Sequence, residues 1–282
     1  MHIPVSKIIM SLVFALSLPL VAEPPVIDDH KLTSDLGDKI GKLVEEEKTT
    51  PGEDLFKQLE RTKADLQLKQ PSTQECKNVY SECVDGVGII ASVYKCGKCD
   101  KWHRSACATC WTLTEDGIMV TNYHVFKNKD HSGFGVLSRD GRVAPVVEVL
   151  AADKETDIAI FRVKGEGFKA LKLGDSEEVG NDVHIIAHPD GRFFTYTAGN
   201  VSRYYQPRGK SNTVWMAVTA EFAKGSSGGP VLDSEGNVVG MVANTQSIYY
   251  HGMEKNGEGK GPFQMVIRNC VPVSSIRKLI KE

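Results

Sequence analysis

The sequence predicts an all-β protein, a pair of β-barrels led by a short helical segment and closed by a C-terminal helix. Three observations carry that expectation. From Val87 onward, short β-rich runs alternate with turn signals at the density expected of barrels. Residues 23–75 instead hold 13 acidic and 8 basic side chains, one aromatic residue (Phe56) and no strand pattern. The chain has 282 residues, 41% of them apolar, which suffices for an ample core.

Residues 1–22 read as a secretory signal peptide. Lys7 is followed by the apolar run Ile8 to Ala22, which is too short to span a bilayer comfortably and contains Pro19. Cleavage after Ala22 is expected, with a retained signal-anchor as the alternative. No other stretch is apolar enough for stable membrane insertion. The segment 23–75 follows. Leu32, Leu36, Ile40, Leu43 and Val44 share one helical stripe. A second helix is signalled by Thr50 as N-cap, Pro51 in the first turn and Glu53 behind it, then Leu55, Leu59 and Leu66. Residues 70–73 end it. These helices are expected to pack on the barrels or to form a stalk, with pairing to another copy as a further reading.

The β-region opens with Val87 to Tyr94. Residues 111–114 and 118–121 form a hairpin around Glu115-Asp116-Gly117, and Val143 to Leu150 follows. Further on, Val214 to Phe222 and Val231 to Val242 flank Lys224-Gly225-Ser226-Ser227-Gly228-Gly229-Pro230. Glycines around a serine let the backbone bend tightly and approach a ligand. Such a bend presents the Ser227 hydroxyl while the amides of Gly225 and Ser227, with Ser226 between them, form an oxyanion hole. A plain glycine-rich turn is the bland alternative, so the hydroxyl must be matched by a base. His124 ends the β-rich run 119–123, and Asp157 precedes the apolar run 158–163. Imidazole accepts a proton near neutral pH, and a carboxylate holds the imidazole tautomer.

Thr121-Asn122-Tyr123-His124-Val125, Glu155-Thr156-Asp157-Ile158-Ala159 and Gly225-x-Ser227-Gly-Gly-Pro230 resemble the trypsin-like serine proteases of the HtrA (DegP) type. Residues 171–176, 183–189, 198–203 and 270–276 extend the likeness, which covers about residues 87 to 282. It implies two chymotrypsin-like six-stranded barrels with the active site in the cleft between them. Residues 76–282 would form the protease domain, its first barrel about 87–165 and its second about 166–282. His124, Asp157 and Ser227 would be the catalytic triad of a secreted or periplasmic serine endopeptidase that works through an acyl-enzyme on polypeptide, unfolded or extended, substrates. Ser226 departs from the asparagine most HtrA proteins have before the nucleophile. In chymotrypsin-like enzymes the residue six before the serine lies at the floor of the specificity pocket, here Glu221. HtrA-type loops instead favour small aliphatic residues, the preference expected here. Substrate would pair with the edge strand Val238 to Asn244, which includes Met241, Val242 and Ala243. The family commonly carries PDZ domains; residues 273–282 read as a closing helix, so no PDZ domain is expected in cis. A homo-oligomer is compatible with the likeness.

Seven cysteines need a separate account: Cys76, Cys83, Cys96, Cys99, Cys107, Cys110 and Cys270. Cys96 to Cys110 is read as an inserted loop between the first two strands. With an export signal, disulfides among the first six are the favoured reading and no bound metal is expected. Zinc at the CxxC pairs with His103 is the alternative, and a redox-active pair a third. No cofactor is expected. Net charge is −2, so nucleic acid is not an expected partner. The alternative function is a chaperone-like or binding protein on the same fold, using the cysteine-rich loop.

Overall fold

The computed structural model describes residues 26–207, 209 and 213–281, so the signal-like stretch 1–22 lies outside the described residues. Helix α1 (Asp29–Glu45) starts on Asp28, whose carboxylate accepts from Lys31 N–H, and buries Leu36 and Ile40 of the expected stripe. Helix α2 (Gly52–Gln58) follows, then strand β1 (Ala64–Asp65) and the short α3 (Val79–Cys83).

The first barrel contains β2 (Val87–Lys95), β3 (Trp102–Arg104), β4 (Ala108–Thr112), β5 (Ile118–Thr121), β6 (Gly133–Ser138), β7 (Val143–Asp153) and β8 (Ile158–Val163). Six of these run in the order β2-β4-β5-β8-β7-β6, and pairing of β6 back onto β2 closes the ring. β3 is a flap on β2 that shares its antiparallel register. The second barrel is closed in the order β10-β11-β14-β13-β12-β9. Its strands are β9 (Asp182–Ala187), β10 (Thr195–Tyr205), β11 (Trp215–Val218), β12 (Pro230–Leu232), β13 (Val238–Tyr249) and β14 (Phe263–Pro272). Helix α4 (Val273–Arg277) and β15 (Ile280–Lys281) end the described chain.

Ring closure removes strand edges that would otherwise pair with other chains. Each barrel has its own apolar filling, around Phe126, Phe134 and Phe161 in the first and Ile185, Met216 and Val239 in the second. A third cluster crosses the seam, joining Ile89 and Trp111 to Leu232, Met241 and Val271, and it takes in Leu36 and Ile40 of α1. The N-terminal segment is therefore part of the core, packed rather than a stalk.

Four local expectations are corrected. Thr50 is not the N-cap of α2; Pro51 occupies that position, and Thr50 Oγ1 donates to Val147 O at 2.7 Å, tying the chain to β7. Leu66 is not helical, because α2 stops at Gln58 and residues 64–65 pair in parallel with 280–281. The closing helix stops at Arg277 for the same reason, its last residues being drawn into that two-strand pairing. Cys110 is not in a loop but inside β4, fully buried, with its thiol facing Gly88 O.

Because Ile40 is fully buried in the cluster that crosses the seam, Ile40→Ala should cost about 2–5 kcal/mol of unfolding free energy. Urea denaturation measures it. A change below about 0.5 kcal/mol, the range of surface substitutions, would contradict the docked position of α1.

Candidate active site

β5 ends at Thr121, and a single 3-10 turn (Tyr123–Lys127) then lifts His124 out of the first barrel. Asp157 lies on the connection between β7 and β8, which is antiparallel to β5, so the two residues reach the same end of the barrel. The carboxylate makes two bonds to one residue: Oδ1 accepts from His124 N–H at 2.9 Å, and Oδ2 lies 2.8 Å from His124 Nδ1. Backbone and ring are thus held together. With Nδ1–H donating to the carboxylate, Nε2 is left as the acceptor. Asp157 has φ of 59°, a conformation most side chains avoid, and Asn122 Nδ2 donates to its carbonyl at 2.9 Å.

Ser227 comes from the second barrel, on the turn entering β12. Thr109 of β4 reaches across the seam to hold this turn: its N–H donates to Ser227 O and its Oγ1 to Gly225 O, both at 2.9 Å. Thr121 Oγ1 in turn donates to Thr109 O at 2.7 Å. Gly228 has φ of 85°, and a Cβ there would stand 2.2 Å from Thr109 O, so only glycine lets the turn dock. Around the serine, Ser226 N–H donates to Ala223 O, Gly228 N–H to Val242 O and Gly229 N–H to Ser226 O. The Ser226 amide is thereby withdrawn from the expected oxyanion set. Among the described residues the amides of Gly225 and Ser227 have no acceptor, and these are the two that remain to meet a developing oxyanion.

His124, Ser227 and Gly225 line one cleft of about 200 Å³, walled by Ile90, Ser92, Ser105, Cys107 and Phe134 of the first barrel and Lys224 of the second. Ser227 Oγ makes a long 3.5 Å contact to Ala243 O, and no hydrogen bond joins it to His124 among the described residues. Such bonds tighten when substrate arrives.

The substrate-binding expectations need correction. Glu221 does not line this cleft. Its side chain is 78% exposed and pairs with Arg268 of β14 at 2.8 Å, a partner 47 residues away in sequence. Met241 and Val242 are buried. β13 is not an edge from Val238, because β12 covers 238–241 and the Val242 amide and carbonyl bond to the 228–229 turn. The β12-facing side of β13 opens only at Ala243, where a register shift against β14 falls.

Two positioning residues carry no recognisable spacing signal. Thr109 is an ordinary β-residue until the fold brings Ser227 beside it. His188 reads as a turn histidine, yet it is fully buried, with Nε2–H donating to Gly88 O and Nδ1 accepting from Phe194 N–H, both at 3.0 Å. It fixes the turn 188–191, whose Asp190 N–H donates to Lys224 O at 2.6 Å beside the oxyanion loop. The cysteines are free thiols throughout. Burial raises the pKa of Cys110 and Cys270 and pushes that of Cys83 up to about 12, which makes all three poor nucleophiles.

Comparison with known proteins agrees with this geometry. Residues 108–241 match the trypsin-like peptidase domain family, a span that holds His124, Asp157 and Ser227. A probable periplasmic serine endoprotease, DegP-like, of Halomonas elongata is 31% identical over 156 residues, covering 54% of this chain and 32% of that protein. Protease Do-like 5, chloroplastic, of Arabidopsis thaliana is 30% identical over 168 residues, covering 54% of this chain and 52% of its own length. The chain therefore matches between about a third and a half of the length of these relatives. Among solved structures, the HtrA-type protease AlgW with decapeptide is similar in fold, with a TM-score of 0.57 at 22% identity over 70% of this chain and 64% of that one.

Burial depresses the His188 pKa from 6.5 to about 4, because desolvation disfavours imidazolium; its backbone bonds oppose the shift only in part. The folded pKa lies below the unfolded one, so this stability is complete above pH 6.5 and is lost as pH falls from 6.5 through about 4. The loss should reach roughly 3 kcal/mol by pH 4. Urea denaturation of wild type and His188→Gln at pH 7, 5.5 and 4 should give a shallower slope for the variant, and equal slopes would contradict the assignment.

Proposed function

We propose that this chain, which carries a trypsin-like peptidase domain and has DegP- and HtrA-type serine proteases as homologues, is a serine endopeptidase whose triad is His124, Asp157 and Ser227. The observation that carries the reading is the pair of hydrogen bonds that Asp157 accepts from His124, with Ser227 on the same cleft beside two unengaged amides.

In this mechanism Ser227 Oγ attacks the carbonyl carbon of the scissile bond while His124 Nε2 takes its proton. Asp157 keeps Nδ1 protonated and stabilises the imidazolium. The oxygen of the tetrahedral intermediate accepts from Gly225 N–H and Ser227 N–H. His124 returns the proton to the leaving amine, and the C–N bond breaks to give an acyl-enzyme. Water then repeats the sequence, losing its proton to His124 as Ser227 leaves.

The substrate is an extended polypeptide lying along β13 from Ala243, where that strand edge opens. The pairing of Glu221 with Arg268 removes the acid that would select basic side chains, which supports a preference for small aliphatic residues. Export belongs to the same proposal. It is supported by residues 1–22 and by the periplasmic name of the Halomonas relative, while the Arabidopsis relative bears a chloroplast name. No helix among the described residues is long and apolar enough to cross a membrane.

A serine-directed fluorophosphonate should label wild type and not Ser227→Ala. Ser227→Ala and His124→Ala should each lower kcat by about 10⁶-fold and Asp157→Asn by about 10⁴-fold, with combined losses far smaller than the product of the single ones. Undiminished cleavage of an unfolded protein by Ser227→Ala would refute the triad.

Cleavage-site profiling on a denatured proteome should give small aliphatic residues before the cut bond, with the same profile for Glu221→Ala. Dominance of Lys and Arg that disappears in that variant would return Glu221 to the specificity pocket.

A further inference from the structure

Three metal-binding side chains meet outside the catalytic cleft. β2 and β3 form a hairpin in which Tyr94 faces His103 and Lys95 faces Trp102, so residues 96–101 are its tip. At that tip Cys96 Sγ lies 3.5 Å from Cys99 Sγ, and Cys99 Sγ lies 3.1 Å from His103 Nε2. All three donor atoms fall within 4.8 Å of one another, and this is the one such cluster among the described residues.

We propose that Cys96, Cys99 and His103 bind one Zn²⁺ ion through two sulfurs and one imidazole nitrogen, with solvent at the fourth position. Zinc takes thiolate at about 2.3 Å and imidazole at about 2.0–2.1 Å in a tetrahedron, so its ligands stand roughly 3.8 Å apart for S–S and roughly 3.5 Å for S–N. The Cys96–Cys99 and Cys99–His103 separations reach those values with movements of a few tenths of an ångström, and Cys96 Sγ and His103 Nε2 stand within 4.8 Å of each other. Two thiol protons leave to solvent on binding, and the two thiolates balance the charge of the ion.

Two further features favour metal over a Cys96–Cys99 disulfide. A disulfide needs two sulfurs and gives the imidazole no role, yet here the imidazole is aimed at the sulfur. Its ring is fixed by stacking on Tyr94 with centroids 5.6 Å apart, and Tyr94 stacks in turn on His131 at 4.9 Å. The turn is also built for thiolate: Gly97 takes φ of 72°, and Lys98 N–H points back to Cys96 Sγ at 3.4 Å. The sequence alone favours disulfides in this stretch on the strength of the export signal, and it does not show that His103 faces the pair.

The ion would pin the tip of a hairpin that is already clamped at the pair next to that tip, Lys95 facing Trp102. Trp102 packs closely against Gly41 of α1, where a Cβ would stand 2.3 Å from the indole, and its Nε1–H donates to Glu45 at 2.8 Å. Zinc would then add a second hold beside that clamp, in a hairpin that also supplies Ser92 to the wall of the catalytic cleft.

The test titrates the full-length chain, reduced and freed of metal under anaerobic conditions, with Zn²⁺ alone and with Co²⁺ as a spectroscopic probe. One Zn²⁺ per chain is expected, and Co²⁺ should give a thiolate charge-transfer band with the intense visible bands of a tetrahedral site. Cys96→Ser, Cys99→Ser and His103→Ala should each weaken binding by at least the about 10–100-fold that follows loss of a residue merely supporting a ligand. Cys76→Ser should bind as wild type. Circular dichroism shows whether these surface variants remain folded. No uptake by the reduced, folded chain would overturn the proposal. So would equal uptake by the three ligand variants, or a native Cys96–Cys99 disulfide whose reduction yields no zinc binding.

Discussion

The hydrogen bonds of Thr109 across the seam between the barrels are the constraint on which the rest of the site depends. Thr109 belongs to the first barrel, yet its N–H and hydroxyl fix the carbonyls of Ser227 and Gly225 in the second. The proposed triad, split between two barrels, needs such a fixing, because His124 and Asp157 are rigid in one frame and Ser227 in the other. Thr109 and Gly225 are buried, so losing the Thr109 hydroxyl leaves the Gly225 carbonyl unsatisfied at a cost of about 1–3 kcal/mol. The apolar seam from Ile89 to Met241 supplies the cohesion, while the threonine supplies the register.

The seam also explains the residues around the oxyanion loop. His188 donates from the second barrel to Gly88 of the first, and its turn carries the amide that holds Lys224 O. Neutral imidazole suits this place because it offers one donor and one acceptor without a buried charge. Asp157 pays for its position in backbone strain, and the bond from Asn122 to its carbonyl opposes that strain. The two barrels therefore meet through polar groups that each have one geometry in which they are satisfied.

His124, Asp157 and Ser227, the proposed triad, stand out in the sequence because the chemistry demands specific residue types and the turns around them demand glycine. The barrels were legible from runs of β-branched residues between turns. What stayed hidden depends on contacts between distant segments. Nothing local at Thr50 distinguishes an N-cap from a threonine bonded to β7, and nothing at Leu66 reveals the parallel pairing of residues 64–65 with 280–281. Glu221 sits at the expected interval before Ser227, but Arg268 faces it across the β11–β14 side of the barrel and decides its direction. Cys110 reads as one of a CxxC pair, whereas strand alternation turns it into the core, away from the exposed Cys96 and Cys99.

The most direct measurement is a crystal structure of the chain after reaction with a peptidyl phosphonate. The account predicts a covalent bond from phosphorus to Ser227 Oγ, with the phosphoryl oxygen about 3 Å from the amides of Gly225 and Ser227 and His124 still bonded to Asp157. It also predicts that the Ser226 amide stays on Ala223 O. A phosphonate attached elsewhere, or one at Ser227 whose oxygen faces away from the Gly225 amide, would contradict it.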